Sequence, residues 1–277
     1  MNSNLLKKSI FPLILVCTAV YLFVTAPPPI QEEMNQEKKS YSINEALTII
    51  AELNDAARTF YTKQIVGNGL KVGLKFDEYW QKSDVEAGPL PALFLRGISR
   101  HLEKSKVPMG LYLGSDFPIV KNNLFEGEQA VQFKKIRKDK KSKFFFDEDT
   151  KRYVAMFPDF AGAAACVSCH NEHENSPKKD WKLNDIMGAT TWTYPTDSVS
   201  TDELKAMINV YRGGVTEVFN AYLKEAKSFT VNPVPNIGNN WPVNGYNIPD
   251  IKTFNDTLDK LTSRALLLHI LKAENEK

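Results

Sequence analysis

Apolar positions along this chain follow three patterns, and each pattern predicts its own kind of element. From Ser42 to Ile65 the residues Ala46, Ile49, Ile50, Leu53, Ala57 and Phe60 return every three or four positions, the stripe of an amphipathic helix. Ser42 followed by Glu45 has the form of a capping box at its start, and Gly67 and Gly69 are expected to end it. Residues 70 to 90 fit no period. Pro91 then suits a first helical turn, with Leu95, Ile98 and Leu102 on one face and His101 on the neighbouring one. Met109, Leu111 and Leu113 alternate as in a strand, and Gly114, Ser115 and Asp116 read as a turn before Pro118.

A polar helix is expected from about Leu124 to Ile136 and runs into Lys134, Lys135, Arg137, Lys138, Lys140, Lys141 and Lys143. This basic run reads as a solvated hairpin or loop, or else as an electrostatic dock for an acidic partner. Phe144, Phe145 and Phe146 enter a strand, Asp147, Glu148 and Asp149 turn it, and Arg152 to Phe157 alternate in a second strand, so a β-hairpin is expected. Pro158 and Asp159 are expected to stop its pairing. Small residues from Ala161 to Ala165 lead into Cys166-Val167-Ser168-Cys169-His170, read as a loop or short helical turn. A polar loop from Asn175 to Lys182 and a β-rich run from Met187 to Tyr194 follow.

The rest is helical with one interruption. Asp202 can cap a helix carrying Leu204, Met207, Tyr211, Val215, Val218, Phe219 and Tyr222, with Gly213 and Gly214 as a kink. From Val231 to Pro249 prolines, glycines and asparagines predict an extended loop, and Ile251, Phe254, Leu258, Leu261, Ala265 and Leu268 predict a final helix.

The third pattern is the uncharged run from Ile10 to Val24 behind Lys7 and Lys8, on the side that the positive-inside rule keeps in the cytoplasm. It predicts that the body of the protein is exported. A cleaved signal peptide competes with an uncleaved anchor, and Pro27, Pro28 and Pro29 just past the cleavage-like residues favour the anchor. The expected layout is a signal segment at 1–26, a linker at 27–40 and a folded domain at 41–277. The chain has 43% hydrophobic and 25% charged residues, which suits a packed core. A net charge of +2 gives no electrostatic footprint for nucleic acid. Cys17 lies in the apolar run and reads as a membrane-helix residue.

Two cysteines remain in the exported part, and their spacing carries the chemistry. Two thiols separated by two residues and followed at once by an imidazole can bond both vinyl groups of a haem while His170 ligates its iron. Cys166 and Cys169 are thus candidate haem c anchors and His170 the candidate iron ligand. Zinc bound by Cys166, Cys169, His170 and His173 competes, although the adjacent Cys169 and His170 cannot easily face one tetrahedral ion. A redox dithiol competes too, without an evident βαβ context. For the second axial position Met109, Met156, Met187, Met207, His101 and His269 are open; His173 is too near His170 to reach the opposite face.

The stretches AGPLPALFLR (87–96), LGSDFPI (113–119), AMFPD (155–159), CVSCHNEH (166–173) and SPKKDWKLNDIMGATTW (176–192) resemble the c-type-haem-binding, PAS-like domain family, formerly a domain of unknown function, found in bacterial exported proteins and periplasmic sensors. The resemblance covers about residues 45 to 195. It implies an α+β fold, a PAS-like antiparallel sheet flanked by helices, to which this chain adds an N-terminal membrane helix and C-terminal helices. It also implies Cys166 and Cys169 as thioether anchors and His170 as proximal ligand. Unlike sensor-kinase members, the chain is expected to carry no cytoplasmic output domain.

The expected function is a membrane-tethered periplasmic mono-haem c protein, acting in redox or small-ligand sensing or in one-electron transfer. Its expected partners are the inner membrane and a redox or signalling protein. The alternative is a haem enzyme, a peroxidase or reductase with an open distal site, against which stands the presence of one haem motif rather than two.

Overall fold

The structure, a computed structural model, describes residues 40–82, 84–230, 234–242 and 248–275, with backbone alone from 265 onward. The expected signal segment with Cys17, the linker before Ser40 and the side chain of His269 lie outside this description. Among the described residues no helix is long and apolar enough to cross a membrane.

A short strand β1 (Ser40–Ser42) leads into α1 (Ile43–Phe60), where Ser42 Oγ accepts the Glu45 N–H at 3.2 Å as the capping pattern requires. The predicted stripe of Ala46, Ile49, Ile50, Leu53, Ala57 and Phe60 is buried, and Leu47 is buried beside it. Gly67 does not end the helix. The chain widens into a π turn over Tyr61–Val66 and resumes as α2 (Gly67–Lys71). The stop comes at Gly73, whose φ of 86° is a left-handed conformation that glycine adopts without steric cost, and Leu74 N–H then closes on Gly69 O at 2.9 Å.

The aperiodic stretch holds β2 (Phe76–Asp77), parallel to β3 (Gly88–Pro89). Pro91 opens α3 (Pro91–Lys104) as expected, and Phe94, Leu95, Ile98 and Leu102 are its buried face. Strand β4 (Gly110–Gly114) follows. Helix α4 (Gly127–Asp139) starts three residues later than the pattern suggests, because Gly127 at φ 53° turns the chain into it, and Lys140 in the left-handed region ends it. Lys134, Lys135, Arg137 and Lys138 therefore sit on a helix rather than in a loop.

Strands β5 (Lys143–Asp147) and β6 (Arg152–Phe160) form the expected hairpin, with Asp147 Oδ1 accepting the Asp149 and Thr150 N–H groups in the turn. Between β6 and β7 (Ile186–Tyr194) lies α5 (Ala164–Glu172). The sheet is antiparallel in the order β4, β7, β6, β5. Pro158 does not stop pairing: β6 stays in register with β7 through Asp159 opposite Gly188. The reason is that β5 stops opposite Met156, so past that point one edge of β6 is open and a missing N–H costs no ladder bond.

β8 (Ser198–Ser200) pairs with β1 and feeds α6 (Thr201–Ala226). The cap is Ser200 in a complete capping box with Glu203, not Asp202, which sits in the first turn. Gly213 and Gly214 interrupt nothing; they make room for His101, whose ring atoms lie 3.4 Å and 3.2 Å from where their β-carbons would stand. The loop after α6 holds a short parallel pair, β9 (Ile237–Gly238) and β10 (Ile248–Pro249), before α7 (Ile251–Asn275).

The fold is thus mixed α and β, with helices on both faces of the four-stranded sheet. On one face α1, α3, α6 and α7 share a large core with Leu111, Ala155 and the fully buried Trp192. Phe219 stacks on Phe254 there, with ring centroids 3.7 Å apart. On the other face Phe125, Phe133, Ile136, Val154, Met156 and Ala189 form a smaller core under α4.

Candidate functional site

The segment between β6 and β7 leaves the sheet and returns at one point. Ala161 N–H donates to Asp185 O at 2.8 Å, and its carbonyl accepts Asn184 N–H at 3.0 Å, so two backbone bonds pinch the base of the excursion. On the way out lies α5. On the way back, Trp181 is fastened to α5 by both ends of one amide: Asn171 Nδ2 donates to Trp181 O at 3.0 Å and Asn171 Oδ1 accepts Trp181 N–H at 2.9 Å. Trp181 is itself buried, edge-on to Phe117 with centroids 6.1 Å apart. The Asp185 carboxylate closes the turn by accepting Lys182 N–H at 2.8 Å.

None of the residues of α5 is fully buried. Cys166, Val167, His170 and Asn171 are half-buried at helical spacing, so α5 has a partly covered face, and its polar clamps hold this lightly packed surface in place. On that surface Cys166 is half-buried and Cys169 exposed, and both thiols are free. Three residues apart on a helix, they lie on neighbouring points of one face. His170 follows directly and is half-buried.

The ring of His170 has an unusual setting. Its Nδ1 is buried and has no hydrogen-bond partner, which marks an imidazole awaiting a ligand or partner. Burial, and then the nearby His173, hold its pKa below the usual histidine value, while Asp159 pulls the other way. Asp159 is gripped by Arg58 of α1 through two bonds of 3.1 and 3.2 Å, and Arg58 also donates to Thr190 Oγ1 at 3.2 Å. Burial opposes the charge on Arg58, but Asp159, with Asp55 and Tyr211 adding to it, outweighs burial and the pKa is raised. Enclosure thus favours the neutral imidazole, the form that binds a metal, against the opposing pull of Asp159.

This set of donors fits a haem held by two thioethers and an axial imidazole. It does not form the zinc cage that the four-ligand alternative needs: among the described residues no three His, Cys, Asp or Glu side chains converge as metal ligands. His173 turns aside instead, accepting Asn175 N–H at its Nδ1 and facing Glu78 with its Nε2 at 3.9 Å. A redox dithiol needs a lowered thiol pKa, whereas burial, Cys166, Glu78 and Glu172 push the Cys169 thiol up.

The candidates for the second axial position separate cleanly. Met109, Met156 and Met207 are sealed in the two cores. His101 lies between α3 and α6, its Nδ1 2.5 Å from Glu217. Met187 is half-buried and is the extra residue of a β-bulge, since Asp159 pairs with Gly188 and Phe160 with Ile186. Arg58, Asp159 and Asn171 are the site residues that spacing alone does not single out. One signal was available for Arg58: with Asn54 it places two polar side chains on the otherwise apolar face of α1.

Replacing Asp159 by alanine leaves the Arg58 guanidinium largely enclosed without its counter-charge. Side-chain exposures of 20% for Arg58 and 24% for Asp159 place the cost below that of a fully enclosed pair, at about 2 kcal/mol. Urea denaturation of the variant measures it, and a loss under 0.5 kcal/mol, roughly the scatter of surface substitutions, contradicts this role.

A search of the curated proteins and a search of the solved structures each found no match. A family model described as Tll0287-like matches residues 29–195, ending where β7 ends and leaving α6 and α7 beyond it. That match covers more than half of the chain, which therefore belongs to the Tll0287-like family, a cytochrome c-related one.

Proposed function

We propose that this protein is a mono-haem c protein, exported and tethered at the periplasmic side of the bacterial inner membrane, which senses redox state or a small ligand. The observation that carries this reading is α5: two free thiols one turn apart beside an imidazole whose Nδ1 is buried and unpartnered. Membership of a cytochrome c-related family supports it, and helices on both faces of an antiparallel sheet are compatible with a PAS-like domain.

When bound, the haem supplies a redox-active iron with a coordination position that can take a ligand. Cys166 and Cys169 would hold it through two thioether bonds, each thiol adding its sulfur and its hydrogen across one vinyl group. His170, whose pKa burial lowers, would offer a ring-nitrogen lone pair to the metal. Arg58 holds in place the Asp159 carboxylate, the group that pulls the pKa of that ring upward. Asn171 and Trp181 fix α5 against the return strand, so the thiols and the imidazole keep one spacing.

Sensing is set ahead of electron transfer because three of the four methionine candidates, Met109, Met156 and Met207, are spent in core packing, which leaves Met187 as the one that as an axial ligand would raise the potential. The tether is the run from Ile10 to Val24, and a redox or signalling protein is the expected partner. Optical titration of the reduced haem protein with carbon monoxide and nitric oxide tests the reading. A saturable shift of the main absorption band is expected. A six-coordinate spectrum that ignores both gases contradicts ligand sensing and favours electron transfer, and turnover of peroxide with a donor contradicts it in favour of an enzyme.

A further inference from the structure

A second concave surface lies on the helical side of the molecule, between α3 and α6, bordered by the segment Glu78–Gln81. Its volume is about 280 Å³. Taking about 30 Å³ for each water in the liquid, it holds roughly nine waters' worth of space, which is the size of a small metabolite.

The walls are fixed by close helix contact. Gly97 lets α3 meet α6 directly: a β-carbon there would stand 2.6 Å from Val218. One turn on, His101 lies over Gly213 and Gly214 and binds Glu217 at 2.5 Å. Trp80, nearly fully buried, lines the cleft as well.

The charge of the lining points to its occupant. Arg96, Arg100 and Lys104 are spaced four residues apart on α3, so they share one face of the helix, and all three line the cleft. Like charges at that spacing repel, which costs helix stability. Among the described residues none of the three has an ion pair or a hydrogen bond, while of the two carboxylates in the lining Glu217 is engaged by His101. Two guanidinium forks over a small cleft match the paired oxygens of a carboxylate or a phosphate, and the lysine adds a point charge.

We propose that this cleft binds a small oxyanion, a carboxylate or phosphate compound, between Arg96, Arg100 and Lys104. The site stands independently of the haem reading. It has one link to α5: Glu78 borders the cleft and also faces His173 Nε2 at 3.9 Å, so one side chain serves both places.

Isothermal titration of the full chain, in detergent and at low ionic strength, with inorganic phosphate and separately with succinate tests the proposal. One-to-one saturable binding of at least one of them is expected, and the arm that binds identifies the source of the oxyanion. Arg96→Gln and Arg100→Gln should each weaken it at least tenfold while melting like the parent chain, since both side chains are exposed. Absence of saturable binding in both arms, or binding unchanged in both arginine variants, overturns the site.

Discussion

Replacement of both Cys166 and Cys169 by serine is expected to give a folded chain that retains no haem after denaturation. The two halves of this result have separate causes. Folding survives because α5 buries none of its residues and is held by Asn171, by Trp181 and by the backbone pinch at Ala161, none of which involves sulfur. Serine differs little from cysteine in size, so the change in stability should stay within about 0.5 kcal/mol. Haem is lost because serine forms no thioether and the remaining bond, from His170, is reversible. A haem stain on a denaturing gel and a thermal melt by circular dichroism check the two halves together. Haem that stays with the double variant would place its attachment elsewhere.

The second large effect concerns how tightly the sheet is closed behind the site. Gly188 of β7 pairs with Asp159, and a β-carbon on it would stand 2.3 Å from the Gly114 carbonyl oxygen of β4. The obstacle is backbone, so no rotamer change relieves it; β4 and β7 must part, or β7 must shift against Asp159. Gly188→Ala is therefore expected to cost about 3 kcal/mol, the upper end for inserted atoms in a packed region. It should also disturb the Arg58 grip on Asp159. Urea denaturation measures the loss, and a value under about 1 kcal/mol, within reach of ordinary substitutions, would contradict this contact.

How much of this was legible in the sequence depended on whether burial drove the element. Helices α1, α3 and α6 each bury a periodic face, and their residues declare it, while β7, enclosed on both sides of the sheet, is declared by its β-favouring residues instead. Helix α5 buries no residue fully, and its half-buried face of Cys166, Val167, His170 and Asn171 mixes polar and apolar types, so only the cysteine spacing marked it. Ends of elements were harder. Gly73, Gly127 and Ser200 decide three of them through local backbone geometry, whereas Gly67, Leu124 and Asp202 looked equally suitable on residue type. Pro158 misled because its cost depends on the length of β5, a tertiary fact. In the site, Cys166, Cys169 and His170 could be named from spacing, but Arg58 and Asp159 are 101 residues apart, and their pairing depends on how α1 crosses the sheet.

The central claim is that Cys166, Cys169 and His170 carry one covalent haem. The most direct test is the intact mass and the alkaline pyridine spectrum of the chain expressed with a haem-attachment system and then denatured. The account predicts a mass greater than the polypeptide by one haem and a spectrum of the type given by two thioether bonds. A mass equal to the polypeptide alone, with both thiols open to alkylation, would contradict it.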